Sequence, residues 1–373
     1  MTHVTQITPA GFSGLGITNK LLETIEKANF STPTPIQHKA IPLAIEGKDV
    51  IGIAQTGTGK TLAFGIPMIQ HLGKNKGKGL IIVPTRELAI QVEETLHQIG
   101  RSLGLITAVL IGGASMYNQK QMIRRNPHII IATPGRLMDH LQQKTVALND
   151  VCMLVLDEAD RMLDMGFAPQ IQRILKSVPS ERQTMLFSAT MPAEIAKIAS
   201  TYMKLPIRIE IATAGTPAEH IAQEVLVVRK EDKNDILGKL LAQHSGIVLV
   251  FSRTKYGASK ICRAIKYAGH NAAEIHSDRS LGQRREALEG FKNGKYRVLV
   301  ATDIAARGID VHGIELVINF DLPQNAEDYV HRIGRTGRAG KKGKAITLAT
   351  PDQRHSVRSI ERLIRKTLPI TRV

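Results

Sequence analysis

Seven short apolar runs, rich in Val, Ile and Leu, recur along the 373-residue chain with helix-length segments between them. The runs are apolar throughout instead of alternating with polar residues, which is typical of parallel strands buried on both faces. Strands that alternate with helices in this way predict an α/β fold. The seven runs are GLIIVP (79–84), HIIIAT (128–133), VCMLVLDE (151–158), GIVLVFS (246–252), YRVLVAT (296–302), IELVINF (314–320) and KAITLAT (344–350).

The segment IATAGTPAEH, residues 211–220, separates the first three runs from the last four. It is small, polar and contains Gly and Pro, so it is typical of a linker. We therefore expect an N-terminal domain over residues 1–210, a linker over 211–220 and a C-terminal domain over 221–373. The length of the chain fits this number of domains.

The chain carries 50 Lys+Arg against 33 Asp+Glu, a net charge of +17. Residues 214–373 contribute +11 (28 against 17) and the remainder +6 (22 against 16), so the excess is spread widely. Such a balance suggests an acidic polymer as partner. A solvated basic surface is the other interpretation, and charge alone leaves both open.

Several features favour a cytoplasmic protein. Cys152 and Cys262 lack the spacing of a metal site or a disulfide framework, and we interpret both as small buried apolar residues. The N-terminus, MTHVTQITPAGF, has neither a positive segment nor an apolar segment of a secretory signal. No apolar run approaches the length of about 18 residues that a membrane span requires.

The stretch AQTGTGKT, residues 54–61, lies between the apolar DVIGI and a segment that looks helical. Strand, glycine-rich turn and helix form the context that a phosphate-binding P-loop requires. Backbone N–H groups and the helix N-terminus would surround phosphate, Lys60 would reach the β- and γ-phosphates of ATP, and Thr61 would bind Mg²⁺. The predicted ATP-binding residues here are Ala54, Gln55, Thr56, Gly57, Thr58, Gly59, Lys60 and Thr61. The alternative is a flexible Gly/Thr turn.

A second motif, the acidic sequence DEAD (157–160), ends an apolar run. We expect Asp157 at the tip of a strand to hold Mg²⁺. Glu158 follows directly and is placed to act as the general base toward water. An acidic helix N-cap is the alternative interpretation, because Asp and Glu favour that position.

Eight motifs occur in an order that resembles DEAD-box RNA helicases, and within them the bacterial RhlE type. They are TPTPIQ (32–37), AQTGTGKT, PTRELA (84–89), TPGR (133–136), DEAD, SAT (188–190), ATDIAARGID (301–310) and HRIGRTGR (331–338). The resemblance covers nearly the whole chain. It implies two RecA-like domains, each a mainly parallel sheet with helices on both faces, joined by a short linker. It also implies that ATP binds between the domains and that RNA lies across both.

The resemblance also implies individual roles around the nucleotide. Within a Q-motif region at about residues 10–38, Gln37 would read the adenine edge, as an amide can. Phe30 would stack on adenine, although it also fits a core position. Asp310 would meet the ribose hydroxyls. Ser188 and Thr190 would couple hydrolysis to RNA binding, and His331 would link the site to RNA.

The positions that match RNA-backbone contacts carry amide, hydroxyl and guanidinium groups. Such groups position a strand without reading its bases, so we expect salt-sensitive binding with little sequence preference. These positions are Pro84, Thr85, Arg86, Gly112, Gly113, Thr133, Gly135 and Arg136 in the first domain, and Arg253 and Thr302 in the second.

Three arginines at three-residue spacing, Arg332, Arg335 and Arg338, lie far along the chain from the P-loop. Arg335 and Arg338 match the two arginines of the family that face the phosphates. There they would stabilise the negative charge that builds during hydrolysis, an effect of about 10³–10⁵ in rate. The role of Arg332 is open, and a basic RNA-binding loop is the alternative interpretation of all three arginines, because glycine-spaced arginines also bind nucleic acid.

One segment departs from the family pattern. In EIHSDRSLGQR (274–284), Ser277 stands where the family usually has Gly, and Leu281 stands where it usually has Gln. This puts some RNA or interdomain contacts of the segment in doubt.

Three functions follow. The first is an ATP-dependent RNA helicase that uses Mg²⁺ and separates short duplexes locally. The second is an RNA clamp or chaperone that uses ATP as a switch, and the third is a DNA helicase of related architecture. Ribosomal precursors during assembly and the RNA decay machinery are the partners that the family suggests.

Overall fold

The computed structural model describes residues 11–55, 57–211, 221–306, 311, 313–337 and 343–372. The chain divides into two compact units, Met1–Ala214 and Gly215–Val373. The exact limits of the predicted domains and linker stay a prediction, because residues 212–220 lie outside the described part. Among the helices described, none is long and apolar enough to cross a membrane.

The first unit contains a seven-stranded sheet with the order β3-β4-β2-β5-β6-β1-β7, in which all paired strands are parallel. Its strands are β1 (Val50–Ile53), β2 (Lys78–Ile82), β3 (Thr107–Leu110), β4 (Ile129–Ala132), β5 (Val151–Leu156), β6 (Gln183–Ser188) and β7 (Ile207–Glu210). Its helices are α1 (Asn19–Lys27), α2 (Pro35–Ile45), α3 (Lys60–Leu72), α4 (Arg86–Gly100), α5 (Met116–Arg124), α6 (Pro134–Gln142), α7 (Ala159–Asp164), α8 (Ala168–Ser177) and α9 (Ala193–Tyr202).

The second unit contains another parallel seven-stranded sheet, with the order β10-β11-β9-β12-β13-β8-β14. Its strands are β8 (Ile221–Val227), β9 (Ile247–Ser252), β10 (Ala272–Ile275), β11 (Val298–Thr302), β12 (Ile314–Asn319), β13 (Gly343–Ala349) and β14 (Ile370–Arg372). Its helices are α10 (Lys233–Gln243), α11 (Lys255–Tyr267), α12 (Leu281–Lys292), α13 (Asp303–Ala306), α14 (Ala326–Ile333) and α15 (Arg354–Ile364).

Strand β9 shows why the central runs are apolar throughout. Successive side chains of a strand point to opposite faces of the sheet. Leu249 and Phe251 belong to one buried cluster, with residues of α12, α14 and α15. Val248 and Val250 belong to a second cluster, with residues of α10 and α11. Helices therefore cover both faces, and the predicted fold class is confirmed.

All seven apolar runs form strands, and DVIGI before the P-loop contains an eighth, β1. Six strands were not predicted. They are short or carry polar residues: in β8, IAQEVLV, an exposed position alternates with buried ones near its start, and β7 is buried only at Ile209. Cys262 is buried as expected, whereas Cys152 is half-buried.

Candidate functional site

The predicted site residues of the first unit follow the strands at one edge of its sheet. The carboxyl ends of parallel strands meet at the same edge, where α/β proteins bind their ligands. The P-loop follows β1, the DEAD motif follows β5 and the SAT motif ends β6, and these three strands are neighbours in the order β5-β6-β1. The predicted RNA contacts follow β2, β3 and β4, the neighbours at the other end. The topology therefore sorts the two predicted groups into adjacent regions.

The loop before α3 has the geometry of a phosphate-binding turn. Gly57 and Gly59 have φ values of 85° and 84°, a region that glycine enters without steric cost. Lys60 is the first residue of α3, and only 6% of it is exposed. Its Nζ donates a hydrogen bond to the carbonyl oxygen of Ala54, 3.0 Å away. The ammonium group therefore already lies across the mouth of the turn that would receive phosphate.

Gln37, predicted to read adenine, is hydrogen-bonded to the P-loop in this structure. Its Oε1 accepts a hydrogen bond from Thr34 N (2.9 Å), and its Nε2 donates one to Gly59 O (2.9 Å). The Thr34 hydroxyl donates to Thr58 O at 2.7 Å. The role toward adenine stays a prediction, since one amide N–H and one lone pair are left for it. Thr34 was missed, although it lies within TPTPIQ.

Asp157 lies at the tip of β5 and is 2% exposed. Burial raises the pKa of Asp157 to about 6; Lys60 opposes this rise, and Glu158 and Asp160 add to it. Three carboxylates thus share one buried region with two cations, Lys60 and Arg161, which leaves one negative charge in excess. A divalent cation would relieve this excess, and Asp157 and the Thr61 hydroxyl stay the predicted ligands of Mg²⁺.

Glu158 has an unusual backbone. Its φ is 51°, in the left-handed region, and it is the N-cap of α7. Strained backbone of this kind persists where the surroundings hold it, and it often occurs at functional sites. The carboxylate is buried, and its Oε2 lies 3.5 Å from Arg161 Nε, whose side chain is also buried. Arg161 was not predicted.

Asp160 joins the DEAD and SAT motifs. Its Oδ2 accepts hydrogen bonds from Ala189 N (3.1 Å), Thr190 N (2.8 Å) and Thr190 Oγ1 (2.9 Å). Its own N donates to Ser188 Oγ at 3.1 Å. Ser188 O in turn accepts a hydrogen bond from Ala54 N of the P-loop. The sequence analysis missed Asp160, although the last letter of DEAD pointed to it.

The predicted RNA contacts of the first unit surround the loop after β3. The Arg86 guanidinium packs against the glycine pair that begins this loop: a Cβ on Gly113 would lie 2.2 Å from Arg86 Nη1, and one on Gly112 would lie 3.2 Å from Nη2. Arg136 Nη1 donates to Ala114 O at 3.0 Å. Two guanidinium groups from different helices are thus held at one loop.

Two helix N-termini complete this region. Thr85 is the N-cap of α4, and its Oγ1 accepts a hydrogen bond from Leu88 N. Thr133 is the N-cap of α6, directly before the Pro at its first position. Pro84 precedes the first cap, and Gly135 lies in the first turn of α6 with open space where a Cβ would stand. Helix N-termini favour anions, so the arrangement suits phosphate groups.

In the second unit, Arg253 follows β9 and Thr302 ends β11, its neighbour. The Arg253 side chain is exposed, and its backbone N donates to Asp321 Oδ2 at 3.0 Å. Thr302 is half-buried. The second sheet therefore brings its predicted RNA contacts to the end that corresponds to β2 and β4 in the first.

The structure settles the role of Arg332, which the sequence left open. Arg332 is 1% exposed and forms a bidentate ion pair with Asp303, at 2.5 and 2.7 Å. Its Nη1 also donates to Asp321 O at 2.6 Å, and its guanidinium lies 5.0 Å from the centroid of the Phe251 ring. Arg332 thus stabilises the second unit from within, and its interpretation as part of an RNA-binding loop is wrong.

The remaining residues of this motif differ from Arg332. Arg335 is buried beyond the end of α14, where its Nε donates to His331 O at 3.2 Å. His331 is half-buried in the last turn of α14. Arg338 lies outside the described residues, as do Asp310 and Thr56. The roles predicted for all five stay predictions.

Phe30 is half-buried after α1, so either of its two interpretations stands. In the segment that departs from the family, Leu281 is the first residue of α12 and is half-buried. Ser280 and Gln283 form a capping box at this helix start, and Ser277 is exposed. The departures therefore leave a well-capped helix.

Comparisons with known proteins agree with these features. The family profile described as DEAD/DEAH box helicase matches residues 34–198, and that of the helicase conserved C-terminal domain matches residues 232–340. A protein named ATP-dependent RNA helicase CshA from Listeria monocytogenes is 46% identical over 358 residues, which cover 95% of this chain and 69% of the relative. CshA of Bacillus subtilis is 44% identical and covers 95% and 72%.

Two solved structures extend the likeness to the fold. Dbp5 of S. cerevisiae bound to RNA and ADP BeF3 matches with a TM-score of 0.88 at 30% identity, over 98% of this chain and 96% of that one. The helicase Mss116 bound to ssRNA and UDP-BeF matches with a TM-score of 0.88 at 29% identity, over 96% and 78%.

Proposed function

Because the chain belongs to the DEAD-box family of ATP-dependent RNA helicases, we propose that it hydrolyses ATP in response to RNA and uses this cycle to separate short RNA duplexes or remodel RNA–protein complexes. ATP and RNA would each favour a closed state of the two domains, so their binding would be coupled. A single strand that is bent in the closed state cannot stay paired, and a short duplex therefore melts locally.

The first unit would bind the triphosphate and start the reaction. Backbone N–H groups of the P-loop bind phosphate oxygens, and Lys60 exchanges its hydrogen bond to Ala54 O for the β- and γ-phosphates. Asp157 and Thr61 would hold Mg²⁺, which neutralises charge on the phosphate oxygens when bound. Glu158, fixed beside Arg161, accepts a proton from the attacking water.

The second unit would supply positive charge to the transition state. Arg335 and Arg338 would face the γ-phosphoryl group only when the domains close on RNA. Negative charge builds there during hydrolysis, and an arginine delivered at that moment accelerates the reaction. Asp310 would hold the ribose, and Phe30 and Gln37 the adenine.

One observation supports the coupling in this proposal: Asp160 fixes Ala189, Thr190 and Ser188, while Ser188 O binds the P-loop. A shift of the SAT segment would therefore displace both the carboxylate group and the phosphate-binding turn. The three hydrogen bonds to this buried carboxylate form a network, and removing one partner would weaken the others.

Several finer assignments belong to the same proposal. The RhlE-type placement is supported by the set of motifs, whereas the relatives described above carry the name CshA. A cytoplasmic location is supported by the two unpaired cysteines. Ribosomal precursors and the RNA decay machinery are proposed partners on the strength of the family alone.

Unwinding of a short RNA duplex tests the proposal against a clamp that uses ATP only as a switch. We expect the wild-type protein to separate the strands when ATP is present. The variant Glu158→Gln should bind ATP and RNA together but release them slowly, because water is no longer activated. RNA-stimulated hydrolysis without strand separation would favour the clamp, and equal action on a DNA duplex would favour the DNA helicase.

A further inference from the structure

A row of arginines follows the outer face of α15, which lies outside every motif named above. Arg354, Arg358 and Arg362, here called the α15 arginine row, succeed one another at intervals of four and are all exposed. Residues four apart lie on one side of a helix, about 6 Å apart along its axis. The row therefore presents regularly spaced positive charge over about 12 Å.

The opposite face of α15 accounts for its folding. Val357, Ile360 and Ile364 are buried in the core of the second unit, in one cluster with residues of β8, β9 and α12. The arginine row takes no part in this packing. Like charges four residues apart repel each other in a helix, so the row opposes helix formation instead of stabilising it.

Carboxylates do little to neutralise the row. Residues 354–366 carry five Arg or Lys and one Glu, a net charge of +4. That one acid, Glu361, accepts a hydrogen bond from Leu368 N at 2.9 Å. Within the part of the chain that the structure describes, no carboxylate lies within 4 Å of the cationic groups of the row. Two exposed arginines elsewhere in the same unit, Arg229 and Arg285, each pair with a carboxylate at 2.7 Å.

The row also borders a recess that suits an anion. Its volume is about 560 Å³, and four of the seven residues that line it are Arg or Lys. The lining residues are His355, Arg358, Glu361, Arg362, Arg365, Lys366 and Thr367. Repeated cations beside a polar recess match a chain of phosphates better than a single small anion, because each arginine can meet a successive phosphate.

The position of α15 separates this surface from the predicted RNA contacts of the same unit. Arg253 follows β9 and Thr302 ends β11, whereas α15 joins β13 to β14 across β8, at the opposite end of the sheet from β11. We propose that the α15 arginine row is an auxiliary RNA site, which binds the phosphate backbone of RNA that extends beyond the motif-bearing surface. This inference rests on the proposed function, since it assumes that RNA is the polymer bound.

The test compares two double variants on RNA of two lengths. Arg358→Gln with Arg362→Gln removes two charges from the row, and Arg229→Gln with Arg285→Gln removes two exposed charges of the same unit outside it. Affinity for a labelled short oligouridine and for one several times longer is measured over a range of salt concentrations. Thermal unfolding of each variant verifies that the fold is retained.

The row variant should bind the short RNA like the wild type and the long RNA more weakly at low salt. Its plot of log affinity against log salt on long RNA should lose about 1.4 in slope, 0.7 for each phosphate contact on a single strand. The control variant should keep the wild-type slope.

An unchanged slope on long RNA would overturn the inference, as would an equal loss on short RNA or an equal loss in the control variant. Competition by poly-glutamate as effective as that by RNA would show an acidic protein to be the better partner, and would also overturn it. ATP hydrolysis with short RNA separates a failure of the proposed function from a failure of the auxiliary site. If RNA does not stimulate hydrolysis by the wild type, the proposed function is wrong. If stimulation is normal but the salt slope of the row variant on long RNA is unchanged, only the role of the row is wrong.

Discussion

The two units have the same strand order, since adding seven to each strand number of the first sheet gives the order of the second. The likeness extends to single residues. Lys60 begins the helix after β1, and Lys233 begins the helix after β8; both are buried. Asp157 follows β5 directly, and Asp321 lies two residues beyond β12. A lysine and an aspartate thus occupy corresponding places in both units.

The loops beside these residues differ. The loop 54–59 contains Gly57 and Gly59 at positive φ, whereas the loop 228–232, VRKED, contains no glycine. Lys233 Nζ is bound to Phe320 O at 2.6 Å and lies 3.7 Å from Asp321 Oδ1. At corresponding places of the same fold, the first unit therefore has a glycine turn suited to phosphate, and the second unit has a lysine that is paired within the protein. Function lies in the loops that the sheet positions, and not in the sheet itself.

The largest expected effect tests whether the second unit contributes to chemistry at all. Arg335→Ala should lower RNA-stimulated ATP hydrolysis by about 10³–10⁵ while ATP binding survives, because the arginine acts on charge that forms only in the transition state. Turnover and nucleotide affinity are measured separately. Near-normal turnover would remove the catalytic difference that we assign to the two units.

The corresponding lysines provide the next comparison. Lys60→Met should lower turnover by roughly 10²–10³, the loss expected for one preorganised electrostatic group. Lys233→Met should leave turnover near normal but lower the free energy of unfolding of the second unit by about 1–3 kcal/mol, because Asp321 and Phe320 O lose a buried partner. Steady-state hydrolysis and urea unfolding of both variants check this. Similar losses of turnover in the two variants would contradict the assignment.

A smaller effect is expected from glycine substitutions that differ only in their surroundings. Gly59→Ala places a Cβ 2.3 Å from Gln37 Nε2 at a φ of 84°, so it should weaken ATP binding as well as stability. Gly47→Ala has a similar φ of 80° but open space around its Cβ, so it should cost only about 1 kcal/mol of stability. The affinity of both variants for ATP, measured by titration, separates the effect of backbone strain, which both share, from displacement of the P-loop by the clash with Gln37. Equal ATP affinity would mean that Gln37 does not hold the loop.

The smallest effect concerns the packing of α5 against α6 in the first unit. His140 is fully buried, where its Nδ1 lies 2.7 Å from Thr145 Oγ1 and its Nε2 lies 3.2 Å from Gln119 Oε1. Burial, and then Arg136 and Lys120, lower the pKa of His140 below its usual 6.5. The unfolded chain therefore binds a proton more readily, so this contribution to stability is complete above about pH 6.5 and falls as the pH drops below it.

His140→Gln should reduce this pH dependence. The difference in urea midpoint between pH 7 and pH 5.5 should be smaller in the variant than in the wild type, with the second unit as an internal reference. An unchanged difference would show that His140 is not the group that titrates.

The sequence predicted the fold well where burial on both faces imposes apolar runs, as in β5 and β9. It did not predict β8, because Gln223 and Glu224 interrupt the apolar run there. In the site, the glycines of the P-loop and the acidic pair of the DEAD motif were recognisable because the chemistry of phosphate binding dictates their types. Arg332 could not be separated from Arg335 by spacing, since only the fold reveals that Asp303 is its partner. Arg161 was missed because its role depends on packing against Glu158.

The most direct test of the division of labour between the two units is ATP hydrolysis with no nucleic acid, with RNA, and with DNA of the same sequence. The account predicts strong stimulation by RNA alone, because in the proposed function closure on RNA would bring Arg335 to phosphates bound by Lys60. Equal rates in all three conditions would contradict it, since the catalytic groups would then be assembled without RNA and the arginines of the second unit would not be gated.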